Sequence, residues 1–106
     1  MRYETTPAFR ADLRRLSKGE AAQFQQVVLN VFSPACDSFV ARPSTPFPAS
    51  LRIKPVVGAP GIFEMTWSFS GPDGRATFEW TEIDGQPAIR WRRVGGHRVL
   101  RQPDRG

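Results

Sequence analysis

The stretch AIRWRRVGGHRVLRQP, residues 88–103, gathers side chains suited to handling a phosphate. Arg90, Arg92, Arg93 and Arg98 bring guanidinium groups, whose forked donors match phosphate oxygens. His97, the only histidine of the chain, has a side chain whose unperturbed pKa of about 6.5 suits proton transfer near neutrality. In a strand, side chains two apart share a face, so Arg90 and Arg92 should project together. Gly95-Gly96 then suits a tight turn before His97. Earlier in the chain, Arg52 and Lys54 alternate with Leu51 and Ile53 and offer two more cations. The bland alternative for both runs is a solvated basic edge strand. Trp91 has the ring to stack a base, but Ile89 shares its face, so burial is the expectation.

The balance of the whole chain agrees with an anionic partner. Fifteen Lys and Arg against ten Asp and Glu give a formal charge of +5, with a pI near 10.7. Nucleic acid, an acidic protein or an anionic lipid surface are the partners this favours. At 106 residues the chain is read as a single domain, 1–106, with one modest core. The lone Cys36 excludes an internal disulfide and a cysteine-based metal site, and it is expected as a buried thiol. No metal and no cofactor are expected. The opening MRYETTPAFR has no apolar leader region, and no run approaches a membrane span. A cytoplasmic protein with no membrane association is therefore expected.

The elements that must position these side chains follow from periodicity and punctuation. MRYET reads as a short strand, with Thr6-Pro7 as helix cap and first helical residue. Phe9, Leu13 and Leu16 form one helical stripe, from which Arg10, Arg14 and Arg15 stand apart. Ser17 and Glu20 have capping-box spacing, and Ala21, Phe24, Val27, Val28 and Val31 carry a second helix to about Phe32. Ser33-Pro34 predicts a break and a fresh cap for a short helix through Val40. After the Pro/Ser-rich loop ARPSTPFPAS the period changes to two. LRIKPV predicts a strand, and so does IFEMTWSF, with Phe63, Met65, Trp67 and Phe69 inward and Glu64, Thr66 and Ser68 outward. GPDG at 71–74 and the later DGQP predict turns. Between them RATFEW turns Ala76, Phe78 and Trp80 inward and Arg75, Thr77 and Glu79 outward. The class is α+β: an N-terminal strand and a helical hairpin packed on one face of a mainly antiparallel sheet of four to five strands, the other face left open.

Taken together and in order, LRIKPVVGAPGIFEMTW, DGRATFEW and IRWRRVGGHRVLRQP resemble the RelE/ParE superfamily of toxins from type II toxin–antitoxin systems. The style is that of a RelE-like actinobacterial branch, and the likeness runs from about residue 8 to 103. The resemblance implies a ribosome-dependent mRNA endonuclease that works without metal and inhibits translation, with a cognate antitoxin and mRNA on the ribosome as partners. It implies that Arg75 binds the scissile phosphate and that His97 faces the leaving group. The alternative to Arg75 on phosphate is a cross-sheet pair with Glu64 or Glu79. Glu64 is the candidate general base, and Arg52, Lys54, Arg90, Arg92, Arg93 and Arg98 are candidate RNA contacts. The sequence departs from the pattern where several relatives carry lysines, having Glu64 and Thr66 instead. It also lacks a tyrosine near His97, its only one being Tyr3. A gyrase-inhibiting toxin of the ParE kind, and a noncatalytic nucleic-acid or protein-binding module on the same fold, are the other readings.

Overall fold

The computed structural model describes residues 1–68, 73–96 and 99–100. Strand β1 spans Arg2–Thr5, and helix α1, Pro7–Arg15, begins as its sequence dictates. The Thr6 hydroxyl accepts the Phe9 N–H at 3.1 Å and donates to the Arg92 carbonyl at 2.9 Å. The cap thus ties the helix start to the last strand. After one turn of chain, α2 (Lys18–Val27) opens with a reciprocal capping box between Ser17 and Glu20. The expected break at Ser33-Pro34 does not occur. A π-helical turn, Val28–Phe32, joins α2 directly to α3, Ser33–Ala41. Proline has no N–H and its ring crowds the carbonyl four residues back. A turn widened so that Ser33 N–H donates to Val28 five residues earlier lets the helix pass Pro34 without ending.

The remaining strands are β2 (Lys54–Pro55), β3 (Phe63–Ser68), β4 (Gly74–Ile83) and β5 (Gln86–Gly95). They form one five-stranded sheet in the order β1-β5-β4-β3-β2. β1 runs parallel to β5, and every other pairing is antiparallel. The α+β class and the mainly antiparallel sheet are those expected. LRIKPV is not a full strand, however. A 3-10 turn, Ala49–Leu51, buries Leu51 and leaves Arg52 left-handed at φ 48°. Only two residues pair beyond it, because Pro55 offers no N–H to extend the ladder. At the other end of the sheet, Asp84 and Gly85 both have positive φ (53° and 77°). That is what a two-residue I′ hairpin between Ile83 and Gln86 requires. Most of the expected 71–74 turn, and Phe69, lie outside the described residues.

Two β-bulges set which side chains reach which face. In β3 the register skips Trp67 between the Thr66–Arg75 and Ser68–Gly74 pairs. In β5 it skips Arg92, so Trp91 pairs with Phe78 and Arg93 with Thr77. A bulge adds one residue to one strand and so reverses the alternation beyond it. Trp91 and Val94 therefore both enter the core, at 4% and 1% exposure, although strict alternation would put them on opposite faces. Trp91 is the centre of that core. Its ring centroid lies 5.0 Å from Phe32, 5.2 Å from Phe24, 5.7 Å from Phe78 and 5.9 Å from Tyr3. Burial of aromatic rings on this scale dominates the stability of a small domain. Cys36 is fully buried beneath them. Among the described residues no helix is long and apolar enough to cross a membrane.

Candidate functional site

With the helices on one face, the other face of the sheet carries polar side chains of β3, β4 and β5. It is less open than expected: Glu64, Thr66 and Thr77 are buried there, and Ser68, expected outward, is buried opposite Gly74 beyond the bulge. Glu64 on β3 is 8% exposed and lies two register positions from Thr66, which pairs with Arg75 on β4. Its Oε1 stands 4.0 Å from Arg75 Nε and 3.9 Å from Lys54 Nζ on β2. Burying a carboxylate is costly unless cations stand close by, as these do. Arg75 is held from its other end by Asp73, with Nη2 to Oδ2 at 3.3 Å. Its own Nε is buried and donates no hydrogen bond among the described residues. A buried donor without an acceptor is costly, so one that persists calls for a ligand or a functional reason. The Arg75 backbone also receives Trp67 Nε1–H at 2.9 Å on its carbonyl, which fixes the residue along the strand.

A second cluster lies across β4 and β5. Glu79 pairs in register with Arg90, its Oε1 3.5 Å from Arg90 Nη1. Its other oxygen accepts from Arg92 Nη1. Arg90 also donates through Nε to Glu4 of β1 at 2.7 Å. Arg90 and Arg92 thus point together, as their spacing requires, and both meet the same carboxylate.

Arg93 is turned away from these two groups, toward α1. Asp12 Oδ2 accepts from Arg93 Nε at 2.6 Å and from the Val94 N–H at 3.2 Å. Oδ1 accepts from Arg93 Nη2 at 3.1 Å. This two-pronged bond holds the Arg93 guanidinium above its already high usual pKa range. Asp12 takes the place of β1 where that strand has ended, supplying the acceptor that β5 lacks. Sequence reasoning missed Asp12. The signal was available: it stands three residues after Phe9 and four before Leu16, on the apolar side of its own helix, where a carboxylate is rare unless paired.

The other expected residues are placed as follows. Lys54 and Arg52 are exposed, Lys54 over Glu64 and Arg52 in the left-handed turn before β2. His97 and Arg98 lie outside the described residues; in the sequence His97 directly follows Gly96, and Gly95 pairs in register with Arg75. Trp91 is core. Tyr3 stacks on Trp91, and burial pushes its phenol up to about 12. Burial likewise pushes the Cys36 thiol up to about 12, which makes it a poor nucleophile. The apolar side of the molecule has a recess between α1 and α2, lined by Phe9, Leu13, Phe24, Val28 and Leu29. Leu29 on its rim is 64% exposed.

No protein-family model matches the sequence, and no curated protein does. Among solved structures, a YoeB/ParE toxin from Agrobacterium tumefaciens superposes with a TM-score of 0.57. The match covers 92% of this chain and 99% of that one, at 10% sequence identity. Likeness at that identity speaks to architecture, since function resides in the site and not the fold. The chain has the RelE/ParE-like toxin fold.

Proposed function

We propose that this protein is the toxin of a type II toxin–antitoxin pair and cleaves mRNA on the ribosome, with the chemistry centred on Glu64 and Arg75. The observation that carries the reading is the buried Arg75 Nε–H, which finds no hydrogen-bond acceptor among the described residues and stands 4.0 Å from a carboxylate that is itself almost buried. Cleavage by the neighbouring 2′-hydroxyl needs a base for that proton, a cation for the charge gathering on phosphorus, and an acid for the 5′ oxygen. Glu64 takes the proton, and O2′ attacks the adjacent phosphorus. Arg75 donates to a non-bridging oxygen as its charge grows. The bond to the 5′ oxygen then breaks, leaving a 2′,3′-cyclic phosphate and a 5′-hydroxyl that receives its proton from His97. The apolar recess between α1 and α2 supports a partner that brings apolar side chains to that face, the role assigned to an antitoxin.

The test is induced expression in bacteria of the wild type, Glu64→Gln and Arg75→Ala, with 5′ ends of mRNA mapped in ribosome-bound fractions. New ends inside translated codons are expected for the wild type. Their rate of appearance should fall by about 10²–10⁴-fold in Glu64→Gln, the range typical for loss of a general base. Growth arrest with DNA damage and no new ends would instead assign the protein to gyrase inhibition. A harmless wild type that binds RNA would make it a binding module.

A further inference from the structure

The basic run on β5, which in the sequence suggests a ready-made phosphate surface, is neutralised from within. Arg90 and Arg92 face Glu79 between them, and Arg90 also holds Glu4. Two guanidinium groups are thereby matched by two carboxylates. Glu79 is fixed on a central strand, directly in register with Arg90, and its side chain is 22% exposed. An anion tethered in place acts at an effective concentration on the order of millimolar or higher. A phosphodiester arriving from solution at lower concentration therefore competes at a disadvantage for the same donors.

We propose that Glu79 is a built-in anionic competitor that occupies the Arg90–Arg92 phosphate site and sets how weakly the sheet face holds RNA. The inference deepens the reading of this face as an RNA site and rests on it. The occupied site is chemically a phosphodiester site, since two guanidinium groups around one carboxylate present forked donors to an anion of similar size. With Glu79 in place, RNA is retained only where contacts elsewhere hold it against the sheet. Free RNA is accordingly a poor ligand, and RNA positioned by a larger assembly is a good one. Strand alternation puts Arg90 and Arg92 on the face of Glu79, and the β5 bulge beyond them lets Val94 turn inward along with Trp91.

The experiment is a double-mutant cycle on the purified full chain, binding a short fluorescent 2′-O-methyl single-stranded RNA that cannot be cleaved. Titrations run from about 50 to 200 mM salt, where single-strand binding falls with a log–log slope of roughly 0.7 per phosphate contacted. Glu79→Gln is expected to raise affinity about tenfold at the low-salt end. It should also steepen the slope by about 0.7 to 1.4, one or two phosphates. Arg90→Gln alone should change binding less than about twofold, and in the Glu79→Gln background it should remove part of the gain. Unchanged or weaker binding by a folded Glu79→Gln protein would overturn the proposal. So would an Arg90→Gln loss of equal size in both backgrounds. Circular dichroism and melting confirm folding of each variant. Should Glu79→Gln not fold, Arg90→Gln in the wild-type background still decides, since a large loss there means the arginine already serves RNA. The ribosome-fraction mapping with Glu64→Gln and Arg75→Ala is a separate readout. The endonuclease reading can therefore fail while the Glu79 effect on polyanion binding stands, and the reverse.

Discussion

Asp12 illustrates how one side chain can fix a site from outside it. Its carboxylate gathers Arg93, the Val94 N–H and, at 3.3 Å, Arg15 Nη1. The first two contacts are largely out of solvent, whereas Arg15 is 72% exposed and adds little. Removing one member of a buried pair leaves the other charge without compensation, at a cost of about 3–5 kcal/mol. Asp12→Ala also strips the acceptor from a buried backbone N–H. We expect Asp12→Ala to lower the free energy of unfolding measured in urea by that order, and Asp12→Asn by clearly less because the amide oxygen still accepts. Equal losses in the two variants would show that charge, and not the acceptor at Val94, is what matters. Arg75 is governed by the same logic with the opposite outcome. Its Nη2 is paired with Asp73 while its Nε is left with a carboxylate only at 4.0 Å, a pairing too long for a hydrogen bond.

At the level of elements, the decisive devices are the two bulges and the glycine that opens β4. A Cβ built on Gly74 would lie 2.5 Å from the Trp67 ring, closer than any real carbon contact. The indole occupies the space a side chain would need, and from there its N–H reaches the Arg75 carbonyl. Gly74→Ala must displace a buried ring, and overpacking of this kind costs about 1–3 kcal/mol. Chemical denaturation should show that loss, and a shift in Trp67 fluorescence should accompany it. Unaltered stability would mean that the ring moves freely, and the placement of Arg75 would then need another explanation. The helical side has a comparable device. The π turn at Val28–Phe32 carries the helix past Pro34, so Phe32 and Cys36, four residues apart on one helical face, are both fully buried.

For the molecule as a whole, burial has a consequence in alkali. Tyr3 and Cys36 both have their pKa raised to about 12 by burial, from 10.0 and 9.0. Above pH 9 the unfolded chain loses these protons while the native chain keeps them. The unfolded state then binds fewer protons, so stability falls with rising pH. Their contribution is complete below pH 9 and is lost progressively between about 9 and 12. Urea midpoints measured from pH 7 to 11 should therefore decline above 9, and Cys36→Ala should flatten the first part of that decline. Native protein at pH 8 should also be unreactive toward a thiol reagent until unfolded. Net charge is distributed at this scale too. The sheet-face arginines are matched by carboxylates, whereas Arg10, Arg14 and Arg15 of α1 are exposed. Among the described residues, the arginines of β5 therefore add less to the free positive charge than their density in the sequence suggests.

Much of this was legible in the chain. The Thr6 cap, the Ser17–Glu20 box, the period-two runs of β3 and β4 and the Asp84-Gly85 turn depend on neighbours a few residues apart, so local chemistry determined them. The likeness of three ordered motifs was enough to indicate the fold. The strand expected at LRIKPV is shortened by Pro55 and by the left-handed turn at Arg52, and the break expected at Ser33-Pro34 is avoided by a π turn that no residue type announces. The candidate site divides in the same way. Glu64 and Arg75 could be named from alternation, because period two alone assigns them to the face away from the helices; that they would be nearly closed off from solvent there was not legible. That Arg90 and Arg92 would share Glu79, and that Arg93 would leave for Asp12, could not be read in advance. These pairings join residues up to 81 positions apart, and where Arg93 points depends on the bulge at Arg92. Sequence determined which groups are present and which face each local pattern prefers. Tertiary structure alone decided which charges neutralise one another, because that depends on strand register.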